Sequence, residues 1–158
     1  MADWDLQTLM LQLLEREKEY VRVDRSEYSC AMVVVFASDG GSSLHFPEYD
    51  SFESKTEAYA KIVEQAKSRL AYLIVTVNGA FTSLTVPDDY QWGDLSAKNA
   101  QPVILLTASG PAIQNTKLEC PYTLQDGEVF FGELSFETEG VQINLLPGWP
   151  DEEKSLIH

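Results

Sequence analysis

AYLIVTVNGAFTSLTV, residues 71–86, decides how the chain folds. Apolar residues recur at alternate positions on either side of Asn78-Gly79, the dipeptide that most readily supplies the two positive φ angles of a type I′ turn. The spacing predicts a β-hairpin in which Val77 pairs with Ala80, Val75 with Thr82 and Leu73 with Leu84 on a core face. Thr76 then pairs with Phe81, Ile74 with Ser83 and Tyr72 with Thr85 on the other face.

Immediately before it, Ser54-Lys55-Thr56-Glu57 has the form of a capping box, in which the serine hydroxyl meets the N–H of Glu57 and the glutamate reaches back. Ala58, Tyr59, Ile62, Val63 and Ala66 follow at helical spacing, which predicts an amphipathic helix ending near Arg69. Further upstream, Met32 to Phe36 is a β-branched run. Asp39, Gly40 and Gly41 then suit a tight turn into a short strand over Ser43 to Phe46. The Gly-Gly-Ser-Ser of that turn is not a phosphate loop, since no Gly-Lys-Ser/Thr follows and no helix opens there.

At the N-terminus Leu6, Leu9, Met10, Leu13 and Leu14 mark one face of a helix started by Asp3 or Asp5, with Glu15, Arg16, Glu17, Lys18 and Glu19 opposite or beyond it. Residues 20–29 read as connector. Downstream, VILLTAS (103–109) reads as a buried strand. Lys117 to Leu124, Glu128 to Glu137 and Val141 to Leu146 read as an antiparallel meander punctuated by Asp126-Gly127 and Glu139-Gly140.

The expected architecture is therefore a single α+β domain over residues 1–158. It is mainly an antiparallel sheet, a hairpin plus a meander, with the two amphipathic helices packed on one face. Residues 147–158, Pro147-Gly148-Trp149-Pro150 followed by Asp151, Glu152, Glu153 and Lys154, read as a loosely ordered acidic tip.

A chain of 158 residues, 44% hydrophobic and 23% charged, is of ordinary globular size and composition. Twenty-five acids against eleven lysines and arginines give a formal charge of −14, and the pI is near 4.3. Such a field repels phosphate backbones and anionic lipid, so nucleic-acid and membrane partners are disfavoured; it would speed encounter with a basic protein partner, and acidity also simply keeps many proteins soluble. MADWDLQTLM lacks the basic start of a signal peptide, and no apolar run approaches the roughly 20 residues of a membrane span, so a cytoplasmic address is expected. Cys30 and Cys120 stand far apart without C-x-x-C spacing or a histidine cluster. That predicts free thiols and neither a metal site nor a cofactor.

Chemistry is scarce. The two histidines are His45, in an expected strand, and His158, the last residue. A small hydrolase or transferase would have to use Cys30, Ser42 and His45 across the first hairpin.

VPDDYQWGDLSAKNAQ, residues 86–101, offers more. Tyr90 and Trp92 are residue types that dominate binding hot spots, and Asp88, Asp89 and Asp94 would steer and pair with lysines or arginines of a partner. The three aspartates lack the spacing of a calcium loop. Trp149 beside Asp151, Glu152 and Glu153 repeats the pairing of aromatic with acid. The expected function is a non-enzymatic, acidic protein-binding module that masks or inhibits a basic protein, in the manner of an antidote or immunity protein. A secretion-chaperone-like adaptor shares the size and low pI, but such adaptors generally carry a C-terminal helix where this chain has a proline-broken acidic stretch.

Overall fold

The structure is a computed structural model that describes residues 6–24, 31–82, 101–143 and 145–149, and of Asp24, Phe81 and Thr82 the backbone alone. It contains two helices, α1 (Leu6–Asp24) and α2 (Phe52–Ser68). The seven strands are β1 (Met32–Ala37), β2 (Ser42–His45), β3 (Ala71–Thr82), β4 (Gln101–Gly110), β5 (Ile113–Gln125), β6 (Glu128–Phe131) and β7 (Ser135–Glu137). The strands form one antiparallel sheet in the order β2-β1-β3-β4-β5-β6, with β7 also paired to β5, so the fold is α+β.

Two compact units divide the chain: residues 1–31, 77–106 and 118–136 in the first, and 32–76, 107–117 and 137–158 in the second. The division falls inside β3, β4 and β5, each of which contributes to both.

The first unit holds α1. Met10, Leu14, Glu17 and Val21 recur at steps of four, three and four residues and are all buried, which is the stripe a helix presents to a core. The helix therefore continues to Asp24, through the first part of the expected connector, because Val21 has apolar surface to bury. Glu17, expected on the polar side, is instead inside this stripe and interacts with the protein there. Lys18 and Glu15 (3.3 Å) and Arg22 and Glu19 (3.0 Å) pair along the outer face. The Lys18 and Arg22 cations also lie 5.2 and 5.1 Å from the centre of the Phe131 ring on β6, a favourable cation–π position. Asp3 and Asp5, the expected helix starts, lie outside the described residues.

In the second unit, α2 buries Tyr59, Ile62, Val63 and Ala66, the face read from the sequence. They pack with Val33 and Val35 of β1, Ala71 and Ile74 of β3, Leu146 and Trp149. Each large apolar side chain so buried contributes roughly 1.5–3 kcal/mol. The helix begins three residues before the expected start. Ser51 is the N-cap, its Oγ accepting from the Ser54 N–H at 3.0 Å while the Ser54 Oγ accepts from the Ser51 N–H at 3.0 Å. Ser54 is thus the third helical residue rather than the cap, and the reciprocal box is closed by a serine instead of Glu57.

Residues 71–82 correct the opening expectation. They form one continuous strand, β3, with β1 on one side and β4 on the other, so Val77 does not face Ala80, nor Val75 Thr82, nor Thr76 Phe81. Ser83, Leu84 and Thr85, the remaining expected partners, lie outside the described residues. Neither Asn78 nor Gly79 has a positive φ. The type I′ turn occurs elsewhere: Asp126 (φ 54°) and Gly127 (φ 79°) join β5 to β6, with Gln125 opposite Glu128.

The first hairpin forms as expected, Val33 facing His45, Val34 Leu44, Val35 Ser43 and Phe36 Ser42 across a turn in which Gly40 has φ 87°. Glu128 to Glu137 is not one strand but two, β6 and β7. Of Val141 to Leu146, none of the described residues is in a strand. There the Asn115 side-chain amide donates to the Val141 carbonyl at 3.1 Å, and Leu146 is drawn into the core under α2. Pro147-Gly148 is a turn, not loose chain. The Trp149 N–H donates to the Leu146 carbonyl at 3.2 Å and Gly148 has φ 71°, the arrangement of a type II turn with proline and glycine at its corners.

Among the described residues no helix is long and apolar enough to cross a membrane.

Candidate functional site

Asp88, Asp89, Tyr90, Trp92, Asp94, Asp151, Glu152 and Glu153, the acidic-aromatic residues expected to meet a partner, all lie outside the described residues. Trp149 is within them, and its place differs from the expectation of an exposed aromatic. The indole is 9% exposed in the core beneath α2, and its Nε1–H donates to the Ser109 carbonyl at 3.3 Å. The turn at Pro147-Gly148 directs the ring inward, where a large apolar body with one donor finds both a core and an acceptor. Its role there is packing.

The nucleophile-and-base arrangement can be followed at His45. Its Nε2 is 2.9 Å from the Ser43 Oγ, two residues away on the same face of β2. Ser42, the expected nucleophile, is on the opposite face, because side chains alternate along a strand. Cys30 lies outside the described residues. Partial burial, with the Arg69 guanidinium nearby, holds the imidazole below its ordinary pKa, so it is neutral at neutral pH. Arg69 is itself ion-paired with Asp39 at 3.7 Å, and Asp39 Oδ1 accepts from the Gly41 N–H at 2.8 Å, bracing the hairpin turn. These contacts tie the turn between β1 and β2 to the chain after α2; they do not join a base to Ser42.

Cys120 is a free, fully buried thiol on β5. Burial raises its pKa, with Lys18 lowering and Glu15 raising it in smaller measure, so it remains protonated and weakly nucleophilic. Among the described residues, no group of three or more His, Cys, Asp or Glu side chains could hold a metal ion.

What the structure does bring together is an apolar edge on the second unit. β2 ends the sheet order. Leu44, at its centre, is 46% exposed and Phe46, just past its end, 56%. Leu44 stands beside Val34 on the sheet face opposite Val33 and Val35, and Phe36 on that same face meets the Tyr72 ring at 6.3 Å between centroids; Val34, Phe36 and Tyr72 are all half-buried. Exposed Glu48, Asp50 and Glu53 follow in the chain.

Sequence reasoning passed over Leu44 and Phe46. The signal was the alternation Ser43-Leu44-His45-Phe46, which places one large apolar side chain on a four-residue strand and a second just past its end. Nothing in that pattern says the sheet would end there.

No family model, no curated protein and no solved structure matches the chain.

Proposed function

We propose that the chain is a non-enzymatic protein-binding module that captures a basic protein and masks its surface, as an antidote or immunity protein does. The observation that carries this reading is the excess of twenty-five acids over eleven lysines and arginines. A charge of −14 raises the local concentration of a cationic protein, speeds its docking and opposes the approach of anionic polymers. Residues 86–101 supply rigid aromatic anchors, Tyr90 and Trp92, among Asp88, Asp89 and Asp94, a composition suited to a salt-sensitive encounter that ends in apolar contact. Asp151, Glu152 and Glu153 add to the same field. The reading requires no cofactor.

The test is affinity capture from the native lysate at low and raised salt, with identification of the retained proteins. A Tyr90→Ala, Trp92→Ala double variant is run beside the parent chain. The expected result is enrichment of one or a few basic proteins, reduced by salt and lost from the double variant. Retention of no basic protein, or capture indifferent to salt, would overturn the reading; capture unchanged in the double variant would remove Tyr90 and Trp92 from it.

A further inference from the structure

We propose that the outer edge of β2 is a strand-addition site, taking an extended segment of a partner in which lysine or arginine alternates with apolar residues. This rests on the reading of the chain as a binder of basic proteins, and specifies where and how the partner docks.

Backbone geometry is the first support. The Ala37 N–H donates to the Gly41 carbonyl at 2.9 Å, and the register runs without interruption from Phe36 opposite Ser42 to Val33 opposite His45. Hydrogen-bonded pairs alternate along an antiparallel ladder, so Ser43 and His45 direct their backbone groups at β1. The N–H and C=O groups of Ser42 and Leu44 therefore point away from the sheet. Among the described residues no strand pairs with that side. Edge strands are commonly blunted by shortness, by lysine, by proline or by a bulge; β2 is short, four residues, but Ser42-Ser43-Leu44-His45 has neither lysine nor proline, and its register with β1 is regular.

Side chains are the second support. A strand laid along β2 would place its alternate residues beside Leu44, continuing the apolar face of Val34, Phe36 and Tyr72, with Phe46 at its end. Main-chain bonds would supply affinity and this face would select apolar residues at every second position.

Charge selects the occupant. A second copy of the chain would bring another −14 to the same edge, which opposes pairing between copies. The acid excess of the chain instead favours an incoming strand that carries cationic side chains.

The probe is a fluorescein-labelled nonapeptide of alternating valine and lysine, titrated onto the full chain at low salt. Controls are the same peptide N-methylated at alternate backbone amides and a valine–glutamate counterpart. Fluorescence anisotropy reads affinity, and hydrogen exchange of residues 42–46 reads location in the unaltered protein. Expected are saturable binding of the valine–lysine peptide, slowed exchange at Leu44, and a loss of at least about ten-fold on N-methylation, on replacing lysine by glutamate, and in a Leu44→Lys variant. A Phe130→Ser variant, altered on the first unit, should bind as the parent does.

No binding up to about 1 mM, undiminished binding of the N-methylated peptide, or exchange at 42–46 unaffected by saturating peptide each overturns the assignment. A concentration-dependent dimer abolished by Leu44→Lys would also overturn it, naming a second copy as the occupant. If a basic partner is captured from lysate equally by the parent and the Leu44→Lys variant, the general reading stands and this one falls. If neither peptide nor basic partner is retained, both fall.

Discussion

Gly110 lies at the end of β4, beside the backbone of Tyr72 on β3. A Cβ at this position would lie 2.1 Å from the Tyr72 carbonyl oxygen, well inside any permitted contact, and the obstruction is main chain rather than a movable side chain. Gly110→Ala must therefore displace a strand, at a cost of about 1–3 kcal/mol in unfolding free energy measured by urea titration. His45 shows a different residue-level constraint, because burial and Arg69 lower its pKa from the ordinary 6.5. The unfolded chain then binds more protons than the folded one below neutrality. The stabilisation from a neutral His45 is complete above pH 6.5 and declines as pH falls through the lowered value. His45→Gln is expected to flatten that part of the stability profile, and an unaltered slope in urea midpoints between about pH 7 and pH 5 would exclude His45 as its source.

Helix α2 owes its start to Ser51, whose hydroxyl satisfies an N–H that would otherwise lack a helical partner. Ser51→Ala is expected to cost about 1 kcal/mol. Glu57→Ala, at the position the sequence pattern nominates for the box, should stay within about 0.5 kcal/mol, and thermal denaturation of the two variants separates the assignments. Apolar faces at helical spacing were legible in part: Tyr59, Ile62, Val63 and Ala66 are buried as read, as are Met10 and Leu14, whereas Leu6, Leu9, Leu13 and Ala58 are half-buried and the buried Glu17 and Val21 lay outside the expected face. Such a stripe is a local property that any core will satisfy. Turns were legible only where the flanking strands pair with each other. Asp126-Gly127 and Asn78-Gly79 look equivalent in sequence, yet the first closes a hairpin and the second passes straight through β3. The difference lies in β1 and β4, which hydrogen-bond the two edges of β3; reversing the chain at Asn78 would end β3 there and forfeit the pairing of its last residues. Buried Thr76 shows the same non-local logic, its hydroxyl bonded to that of Thr107 on β4. The exposure of Leu44 was hidden for a related reason, since a strand does not state whether it is the last in its sheet.

At the scale of the whole molecule the acid excess acts against the fold as well as for recognition. Fourteen net negative charges repel one another most strongly in the compact state. Raising sodium chloride from about 0.01 to about 0.5 M shortens the screening length from about 30 Å to a few ångströms, and the midpoint of thermal unfolding is expected to rise accordingly. A midpoint insensitive to salt would mean that the excess charges stand too far apart to repel one another appreciably. The same titration should weaken capture of a basic partner, so stability and binding are expected to move in opposite directions along one salt axis. That opposition distinguishes a charge-driven binder from one held by apolar contact alone.

The type II turn at Pro147-Gly148 has a practical corollary. It threads an indole into the layer under α2 and couples its ring nitrogen to Ser109, in surroundings that shift tryptophan emission to shorter wavelength. Replacing Trp4 and Trp92 by phenylalanine leaves Trp149 as the sole tryptophan, an optical gauge already seated inside the second unit whose emission reddens when water reaches it.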